Sequence, residues 1–455
     1  MKPSEIPPHN PNQMERPLGL SEKLMFKMRD YGGMNVCCIT QLEGNLDKER
    51  LLSALSYVVL SNPILNVTTQ LTSKKNKPIR EFVIDNNTTL PFIEKSLQSE
   101  TDLYQLMSQE IQTLTPIDKK MWRLTLVTLA NKENTFYLIA TFDHTIIDGQ
   151  STNKFIEMLL GAYKDSLSSS THQAISFPAE HFIHYKVTLS NILRFISHEA
   201  NKLVLALTPQ RFNEIQVHSK RHTKLLNISF TIEQTNKLIL TSRSNNTTLQ
   251  GAIVAALFFS RAKHENLDVK KYRFCNASPV NIRKQGNISD SLIGAYNSSV
   301  ETIHNVDDQT SFWLLAKEVK QKIVNEIDHK SHLSAVIILE YLQNLLSDNL
   351  RMSILDGKQM GRLCSTTVSN FGKIEFRETY GDITVSNYNA AVSQHGFGAS
   401  FTLLPMTFNG SLRFFLHYIS PLTTEEQANE IRCNIIDVIQ RALESDFTFQ
   451  EFDNG

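Results

Sequence analysis

The chain has 455 residues, of which 41% are hydrophobic and 20% are charged, a balance typical of folded globular proteins. This length is sufficient for two or three domains with buried cores. Lys and Arg number 46 together, as do Asp and Glu, so the net charge of zero gives no reason to expect a nucleic-acid partner.

The first half of the chain alternates between strand and helix patterns. Residues 1–15 are predicted to be a flexible N-terminal arm, and residues 16–165 a first domain. Apolar spacing near 3.6 predicts a helix over 47–65, whereas two β-branched and aromatic runs, 122–129 and 136–144, predict an antiparallel hairpin. The other main elements predicted here are a strand over 33–44 and a helix over 153–164.

A change of composition separates the two halves. The serine-rich segment 166–181 predicts a linker, which together with an amphipathic helix over 191–208 extends to residue 222. A second domain is predicted over 223–455. Its predicted elements are helices over 247–264, 309–327 and 332–347, strands over 269–283, 367–376 and 382–393, and a hairpin over 401–420 turning at Asn409-Gly410. The spacing Thr423-x-x-Glu426 predicts a capping box before the last helix.

The cysteine pattern and the N-terminus bear on location. There are five cysteines, without a C-x-x-C spacing: Cys37, Cys38, Cys275, Cys364 and Cys433. Such scattered cysteines are typical of reduced thiols and predict neither disulfides nor a metal site. The polar residues 1–19 do not resemble a signal peptide, and no run of ~18 apolar residues predicts a transmembrane segment. We therefore expect a cytoplasmic protein.

The motif that carries chemistry is FDHTIIDG, residues 142–149. His144 follows a predicted strand, and the loop beyond it leaves the imidazole accessible. With an ordinary pKa of about 6.5, a histidine there can take a proton from a hydroxyl or amine that attacks a carbonyl. Asp148 is better suited to hold the loop as a buried, arginine-paired carboxylate than to orient His144. Taken alone, the spacing favours a structural histidine beside an Asp-Gly turn over a catalytic one.

Two shorter segments, SPVNIR (278–283) and VSNFG (368–372), accompany this motif. Together the three make the chain resemble the chloramphenicol-acetyltransferase-like superfamily, which includes nonribosomal condensation domains, alcohol acetyltransferases and polyketide-associated acyltransferases. RPLGLSEKLMF (16–26) is similar to the opening segment of the last two groups. The resemblance implies an α/β (α+β) fold of two similar domains, each a mixed sheet flanked by helices, with a tunnel between them.

The resemblance also implies roles for individual residues. His144 is expected to be the general base. Asp148 and Arg283 are expected to form a structural pair, and Gly149 to permit the tight turn. The candidates for the tunnel wall and for an oxyanion donor are Ser369, Asn370 and Gly372. Neither a metal nor a bound cofactor is expected.

One position departs from the superfamily. Many members carry two consecutive histidines, but here the first is Asp143. Because neighbours in a strand point to opposite faces, Asp143 is expected to face away from His144. The motif also resembles that of dihydrolipoamide acyltransferases, in which an S-N-x-G strand precedes the histidine. Here that strand follows it by more than 200 residues, which favours the two-domain superfamily.

Two other patterns are interpreted as structural. His329 and His332 form an H-x-x-H pair without a third ligand, which favours a solvated loop over a metal site. Cys37 and Cys38 lie in an apolar strand, which favours packing over nucleophilic chemistry.

The resemblance implies an acyltransferase that moves an acyl group from acyl-CoA or a phosphopantetheine-bound thioester to an alcohol. One alternative is amide or ester synthesis on carrier-bound substrates, as in condensation domains. A second alternative, motivated by Asp143, is a catalytically silent scaffold or binding protein. The expected partners are the thioester donor, a small-molecule alcohol or amine acceptor and an acyl carrier protein. Nucleic acid is not expected, and the chain is expected to act as a monomer.

Overall fold

A computed structural model describes residues 15–74, 77–167, 175–183, 185–206, 212–265, 269, 271–343, 348–377 and 379–454. The chain divides into two compact units. The first unit comprises Met1–Tyr185, Asn281–Asn297 and Glu375–Ser393, and the second comprises Lys186–Val280, Ser298–Ile374 and Gln394–Gly455. Among the described residues, no helix is both long enough and apolar enough to cross a membrane.

The first unit combines strands from both ends of the chain with helices. Its strands are β1 (Glu15–Pro17), β2 (Asn35–Gly44), β3 (Val67–Lys74), β4 (Lys77–Ile84), β5 (Phe92–Leu97), β6 (Trp122–Leu129), β7 (Thr135–Asp143) and β13 (Ile383–Val392). Its helices are α1 (Leu20–Arg29), α2 (Lys48–Ser61), α3 (Glu100–Gln112), α4 (Gly149–Asp165), α5 (Ala179–Phe182) and α9 (Arg283–Gly286).

The main sheet of the first unit has the strand order β13-β2-β7-β6-β5. Strand β2 is buried along most of its length because it pairs on one side with β13 and on the other with β7, both antiparallel. Strands β6 and β7 form the predicted antiparallel hairpin, and β5 adds to β6 in parallel. Helices α3 and α4 both pack against β2, and α2 packs against α4. This sheet carries His144 at the end of β7.

The second unit contains the remaining strands and helices. Its strands are β8 (His222–Ser229), β9 (Tyr272–Asn281), β10 (Asn297–Val306), β11 (Arg362–Val368), β12 (Gly372–Ile374), β14 (Gly398–Leu403), β15 (Met406–Phe408) and β16 (Ser411–Ser420). Its helices are α6 (Leu189–Ala206), α7 (Ile232–Ser244), α8 (Leu249–Glu265), α10 (Phe312–Asp328), α11 (Ser331–Gln343), α12 (Asp348–Asp356), α13 (Glu425–Glu444) and α14 (Phe449–Asp453).

The sheet of the second unit is mixed, in the order β10-β9-β11-β14-β16-β15-β12, with β8 also paired to β16. Strand β11 runs parallel to β9 and β14, whereas β16 is antiparallel to its neighbours. Helix α8 is buried on every side from Gly251 to Ala262, as expected for a helix that is apolar all round, and it packs against α10 and α13. Mixed sheets flanked by helices in both units confirm the predicted fold class.

The division into units differs from the linear boundaries predicted at 16–165, 166–222 and 223–455. Segments 281–297 and 375–393, predicted in the second domain, belong to the first unit. Strand β13 is the reason for segment 375–393, because it pairs with β2 along Val36 to Gly44. Segment 281–297 contacts the first unit through Arg283, which pairs with Asp148. The alternation of a strand predicts that it will pair, but not which strand it pairs with.

Several predicted segments reach beyond the described residues. Of the predicted arm, residues 1–14 lie outside them, and Glu15 already belongs to β1. Within the predicted linker, residues 168–174, 184 and 207–211 also lie outside them. The amphipathic helix predicted over 191–208 is observed as α6 over Leu189–Ala206.

Two local predictions are wrong in detail. The strand predicted over 367–376 is divided into β11 and β12, because residues 369–371 belong to neither strand. Helix α13, predicted as the last helix, is capped one residue later than predicted, because Thr424 and Gln427, not Thr423 and Glu426, form its capping box. The short helix α14 follows it. The predicted hairpin turn does lie at Asn409-Gly410, where both residues have positive φ, at 48° and 78°.

Candidate active site

His144 is the first residue after β7. Its backbone N–H donates to the carbonyl of Met34 at 2.7 Å, which fixes the chain where it leaves the sheet. The side chain is half-buried, and its Nδ1 is enclosed without a hydrogen-bond partner among the described residues. A buried ring nitrogen without a partner is unusual, since the large majority of buried polar atoms are hydrogen-bonded. The arrangement leaves Nε2 as the ring nitrogen that can meet another molecule.

Asp143, where the resemblance led us to expect a histidine, is fully buried and paired. Its Oδ2 accepts from Arg29 Nη1 at 2.8 Å, and its Oδ1 accepts from the backbone N–H of Thr145 at 2.9 Å. Arg29 also donates to the carbonyl of Thr115 at 2.6 Å. The departure from the double histidine therefore replaces an imidazole with one half of a buried ion pair.

Asp148 ends the loop and begins α4. As the N-cap of this helix, it accepts from the backbone N–H of Ser151 through Oδ1 at 2.8 Å. Its Oδ2 accepts from the backbone N–H of Tyr296 at 2.8 Å. Gly149 is the first residue of the helix. A helical position does not demand the conformational freedom of glycine, so the turn-forming role given to Gly149 stays a prediction.

Arg283 binds Asp148 from α9, on a segment more than a hundred residues away in the chain. Arg283 Nη1 lies 2.7 Å from Asp148 Oδ2, and both side chains are almost fully buried. Arg283 Nη2 donates to Ser151 Oγ at 2.6 Å and to the carbonyl of Leu292 at 3.3 Å. Its guanidinium also lies over the ring of Tyr296, 4.9 Å from the centroid. Asp148 and Arg283 thus join the start of α4 to residues 281–297.

Ser151 and Tyr296 complete this cluster and were not among the predicted site residues. Ser151 Oγ donates to the carbonyl of Gly294 at 3.0 Å and accepts from its N–H at 3.1 Å. The Tyr296 hydroxyl donates to the carbonyl of Phe177 at 2.9 Å, and burial raises its pKa well above the ordinary value. Ser151 stands three residues after Asp148, the spacing of an N-cap contact, whereas the sequence offers no signal for Tyr296.

The segment 16–26, singled out in the sequence, is held in place by contacts within the same unit. Arg16 pairs with Glu22 at 2.7 Å and donates through Nε to the carbonyl of Ser176 at 2.7 Å. Glu180 accepts from the backbone N–H of Leu20 at 2.8 Å. Burial, together with the neighbouring Glu22 charge, raises the pKa of Glu180 to about 7. These contacts fix the start of α1, the helix that also supplies Arg29.

The predicted residues of the second unit lie between the end of β11 and the start of β12. Ser369 is half-buried and donates its backbone N–H to the carbonyl of Leu403 at 2.9 Å. Asn370 is exposed, and its Oδ1 accepts from the backbone N–H of Gly372 at 2.9 Å. Gly372 has φ of 74°, a left-handed conformation that favours glycine.

Two further predictions concern histidines and cysteines. The solvated loop predicted for His329 and His332 is wrong for His332, which lies in α11, is 1% exposed, and has its pKa lowered by burial. His329 is the C-cap of α10. Cys37 and Cys38 are fully buried, and burial raises the pKa of Cys38 to about 12. A buried thiol of high pKa is inert, as predicted for a packing residue.

A model of the condensation domain matches residues 27–446, and the chain belongs to the condensation domain family. This confirms the resemblance to the chloramphenicol-acetyltransferase-like superfamily. No curated protein matches the chain by sequence.

Solved structures with the same fold include three of different kinds. The TRI3 trichothecene 15-O-acetyltransferase from Fusarium sporotrichioides is 12% identical, with a TM-score of 0.72 over 96% of this chain and 100% of that chain. The first condensation domain of the calcium-dependent antibiotic synthetase is 14% identical, with a TM-score of 0.69 over 96% and 98% of the two chains. Polyketide synthase associated protein 5 from Mycobacterium tuberculosis is 13% identical, with a TM-score of 0.62 over 94% and 98%. At such identities the likeness is one of fold.

Proposed function

We propose that this protein is an acyltransferase that moves an acyl group from a thioester, acyl-CoA or acyl-phosphopantetheine, to a hydroxyl group. The observation that carries the proposal is His144, half-buried at the end of β7 in a chain of the condensation domain family. A protein of the same fold, the trichothecene 15-O-acetyltransferase, is named for acyl transfer to oxygen, which supports an alcohol as acceptor.

In the proposed reaction, His144 Nε2 takes the proton of the alcohol as its oxygen attacks the thioester carbonyl. The carbonyl π electrons move to oxygen, and a tetrahedral intermediate forms. When the intermediate collapses, the C–S bond breaks and the thiolate leaves with the bonding electrons. The imidazolium returns its proton to this thiolate, so the base is regenerated without a covalent enzyme intermediate.

The two buried ion pairs are proposed to position the base. Residues 144–147 are enclosed between Asp143, paired with Arg29, and Asp148, paired with Arg283. All four charged side chains are buried, so water cannot replace either partner of an ion pair. Each end of this short loop is therefore held in place by a buried ion pair. Asp143, Asp148 and their arginines are thus positioning residues in this proposal. The roles of Ser369, Asn370 and Gly372 as oxyanion candidates rest on the resemblance alone.

A second candidate function is condensation on carrier-bound substrates, which the family match favours because that model describes condensation domains. In this alternative the histidine acts in the same way. The acceptor would be an amine, and the acyl donor would be attached to a carrier protein. An experiment that varies the acceptor can therefore distinguish ester from amide formation, whereas substitution of the base cannot.

The test is a panel of acyl donors, namely acyl-CoA thioesters of increasing chain length, acyl-phosphopantetheine and an acyl group bound to a carrier protein. Each donor is incubated with the full chain and with an alcohol pool, an amine pool or no acceptor. Thiol release is followed with a thiol reagent, in a Cys433→Ser background because Cys433 is an exposed cysteine that would react. We expect release that depends on the alcohol pool, with the ester found by mass spectrometry. Release that depends on amines, or on a carrier-bound acyl donor, would select the condensation alternative. No release with any donor would overturn the proposal and favour the silent scaffold.

A further inference from the structure

Three potential metal ligands meet in the second unit, and a fourth lies beside two of them. One ligand atom each from His198, Cys275 and Glu301 lies within 4.8 Å of the other two. Cys364 joins them, since its Sγ is 3.2 Å from Cys275 Sγ and 3.3 Å from Glu301 Oε1. His198 Nε2 is 3.0 Å from Glu301 Oε2. The sulfur–sulfur separation exceeds the ~2.05 Å of a disulfide bond, so both cysteines are thiols here.

The sheet brings these side chains together. Glu301, Cys275 and Cys364 lie on β10, β9 and β11, which are neighbours in this order. Adjacent strands are about 4.8 Å apart, so side chains on one face of three strands can surround a single centre. Helix α6 adds His198. The ligands come from four elements that are far apart in the sequence, which is why the spacing of the cysteines gave no sign of them.

The donor set is that of zinc. Zinc binds thiolates, imidazole and carboxylates, and sites with four protein ligands are tetrahedral and structural. Cys275 is 1% exposed and Cys364 is 5% exposed, so two thiolates would be shielded from water. The side chains of His198 and Glu301 are 25% and 26% exposed, which gives an ion a path to the centre.

We propose that His198, Cys275, Glu301 and Cys364 bind one zinc ion that fastens α6 to the sheet of the second unit. On binding, the two thiols lose their protons to solvent and become thiolates, and the imidazole binds in its neutral form. The proposal revises the prediction, made from scattered cysteines, that the chain holds no metal. It is independent of the acyltransfer chemistry and of His144.

The experiment is a titration of the full chain, purified under reducing conditions and freed of metal, with Co²⁺. We expect saturation at one Co²⁺ per chain, with the intense thiolate-to-cobalt absorption of a tetrahedral site, and displacement by one equivalent of Zn²⁺. Cys275→Ser and Cys364→Ser should each abolish or strongly weaken that absorption. Cys433→Ser, which alters an exposed cysteine outside the cluster, is the matched control and should bind like wild type.

Loss of a buried cysteine could abolish metal binding simply by unfolding the chain. His198→Gln addresses this possibility, because His198 is partly exposed and its substitution disturbs the core least. We expect this variant to keep the wild-type circular dichroism and to bind Co²⁺ at least ~10-fold more weakly. Three results would overturn the proposal. These are no saturable absorption in wild type, absorption that survives both cysteine substitutions, or a Cys275–Cys364 disulfide as the stable form in mass spectrometry.

Discussion

The ion pair between Asp148 and Arg283 illustrates how a single residue acts in this fold. Asp148 is 1% exposed and Arg283 is 2% exposed, so neither charge can be solvated if the other is removed. A buried pair of this kind contributes little when compared with apolar residues, but breaking it leaves an uncompensated buried charge. Its value here is geometric, since it holds the start of α4 to a distant segment of the chain.

We therefore expect Arg283→Ala to lower the free energy of unfolding of the first unit by about 3–5 kcal/mol. Urea unfolding is followed by the fluorescence of Trp122, in a Trp313→Phe background so that the first unit alone is observed. Lys48→Ala is the matched control, since the Lys48–Glu94 pair has side chains 50% and 52% exposed and should change stability by at most ~1 kcal/mol. Equal losses in the two variants would contradict the account.

Asp143 gives a second prediction at this scale. Asp143→His restores the double histidine of many relatives, but it places an imidazole against the Arg29 guanidinium. We expect a loss of stability of about 3–5 kcal/mol and no gain in acyl transfer, because Arg29 loses the buried carboxylate with which it pairs. Urea midpoints and initial rates check this. A variant as stable as wild type would show that the pair does not hold the loop.

Secondary structure near the site was largely predictable because its signals are local. The β-branched and aromatic runs of β6 and β7 lie in short stretches of sequence. The helix predicted over 153–164 is observed as α4 over Gly149–Asp165, so its start was missed by four residues. The Asp148–Arg283 pair could be expected only through the resemblance. Tyr296 and Ser151 could not be placed in the cluster, because their partners depend on the path of residues 281–297 in three dimensions.

The N-terminus of helix α13 is stabilised by a capping box. Thr424 accepts from the backbone N–H of Gln427, and Gln427 accepts in turn from the N–H of Thr424. We expect Thr424→Ala to cost about 1 kcal/mol of unfolding free energy. Thr423→Ala, at the predicted but unobserved capping position, should stay within ~0.5 kcal/mol of wild type. Urea unfolding read from Trp313 distinguishes the two, and the reverse order would restore the predicted cap.

In the whole molecule, segments that are far apart in the sequence belong to the same compact unit. Strand β13 stands near the C-terminus yet forms the edge of the first unit's sheet, and residues 281–297 carry Arg283 to that unit. Pairing between distant strands depends on which sheet edges are available in the folded chain. A local sequence pattern does not contain this information. This is why the linear domain boundaries differ from the compact units although most of the elements were anticipated.

Buried histidines in the second unit predict how stability depends on pH. His417 is 1% exposed and donates through Nδ1 to the carbonyl of Thr402 at 2.9 Å. Burial lowers its pKa to about 4, against about 6.5 when unfolded. Between these values the unfolded chain binds a proton that the folded chain does not. Stability is therefore fully present above about pH 6.5 and falls as pH drops toward 4, by about 3 kcal/mol.

We expect this loss in urea unfolding read from Trp313 in a Trp122→Phe background, between about pH 7 and pH 4.5. His417→Asn keeps an amide donor but does not titrate, so its unfolding free energy should fall less steeply. A residual slope remains because burial also lowers the pKa of His395 to about 4. An unchanged slope in His417→Asn would show that His417 is not the group responsible.

The central claim is that His144 is the base for acyl transfer. It is tested most directly by acceptor-dependent thiol release in His144→Ala, measured with the best donor and acceptor next to wild type and the His264→Ala control. We expect a fall of at least ~100-fold in His144→Ala, unchanged rates in His264→Ala, and the same unfolding midpoint in all three. Acceptor-dependent release that persists at the wild-type rate in a folded His144→Ala protein would contradict the account.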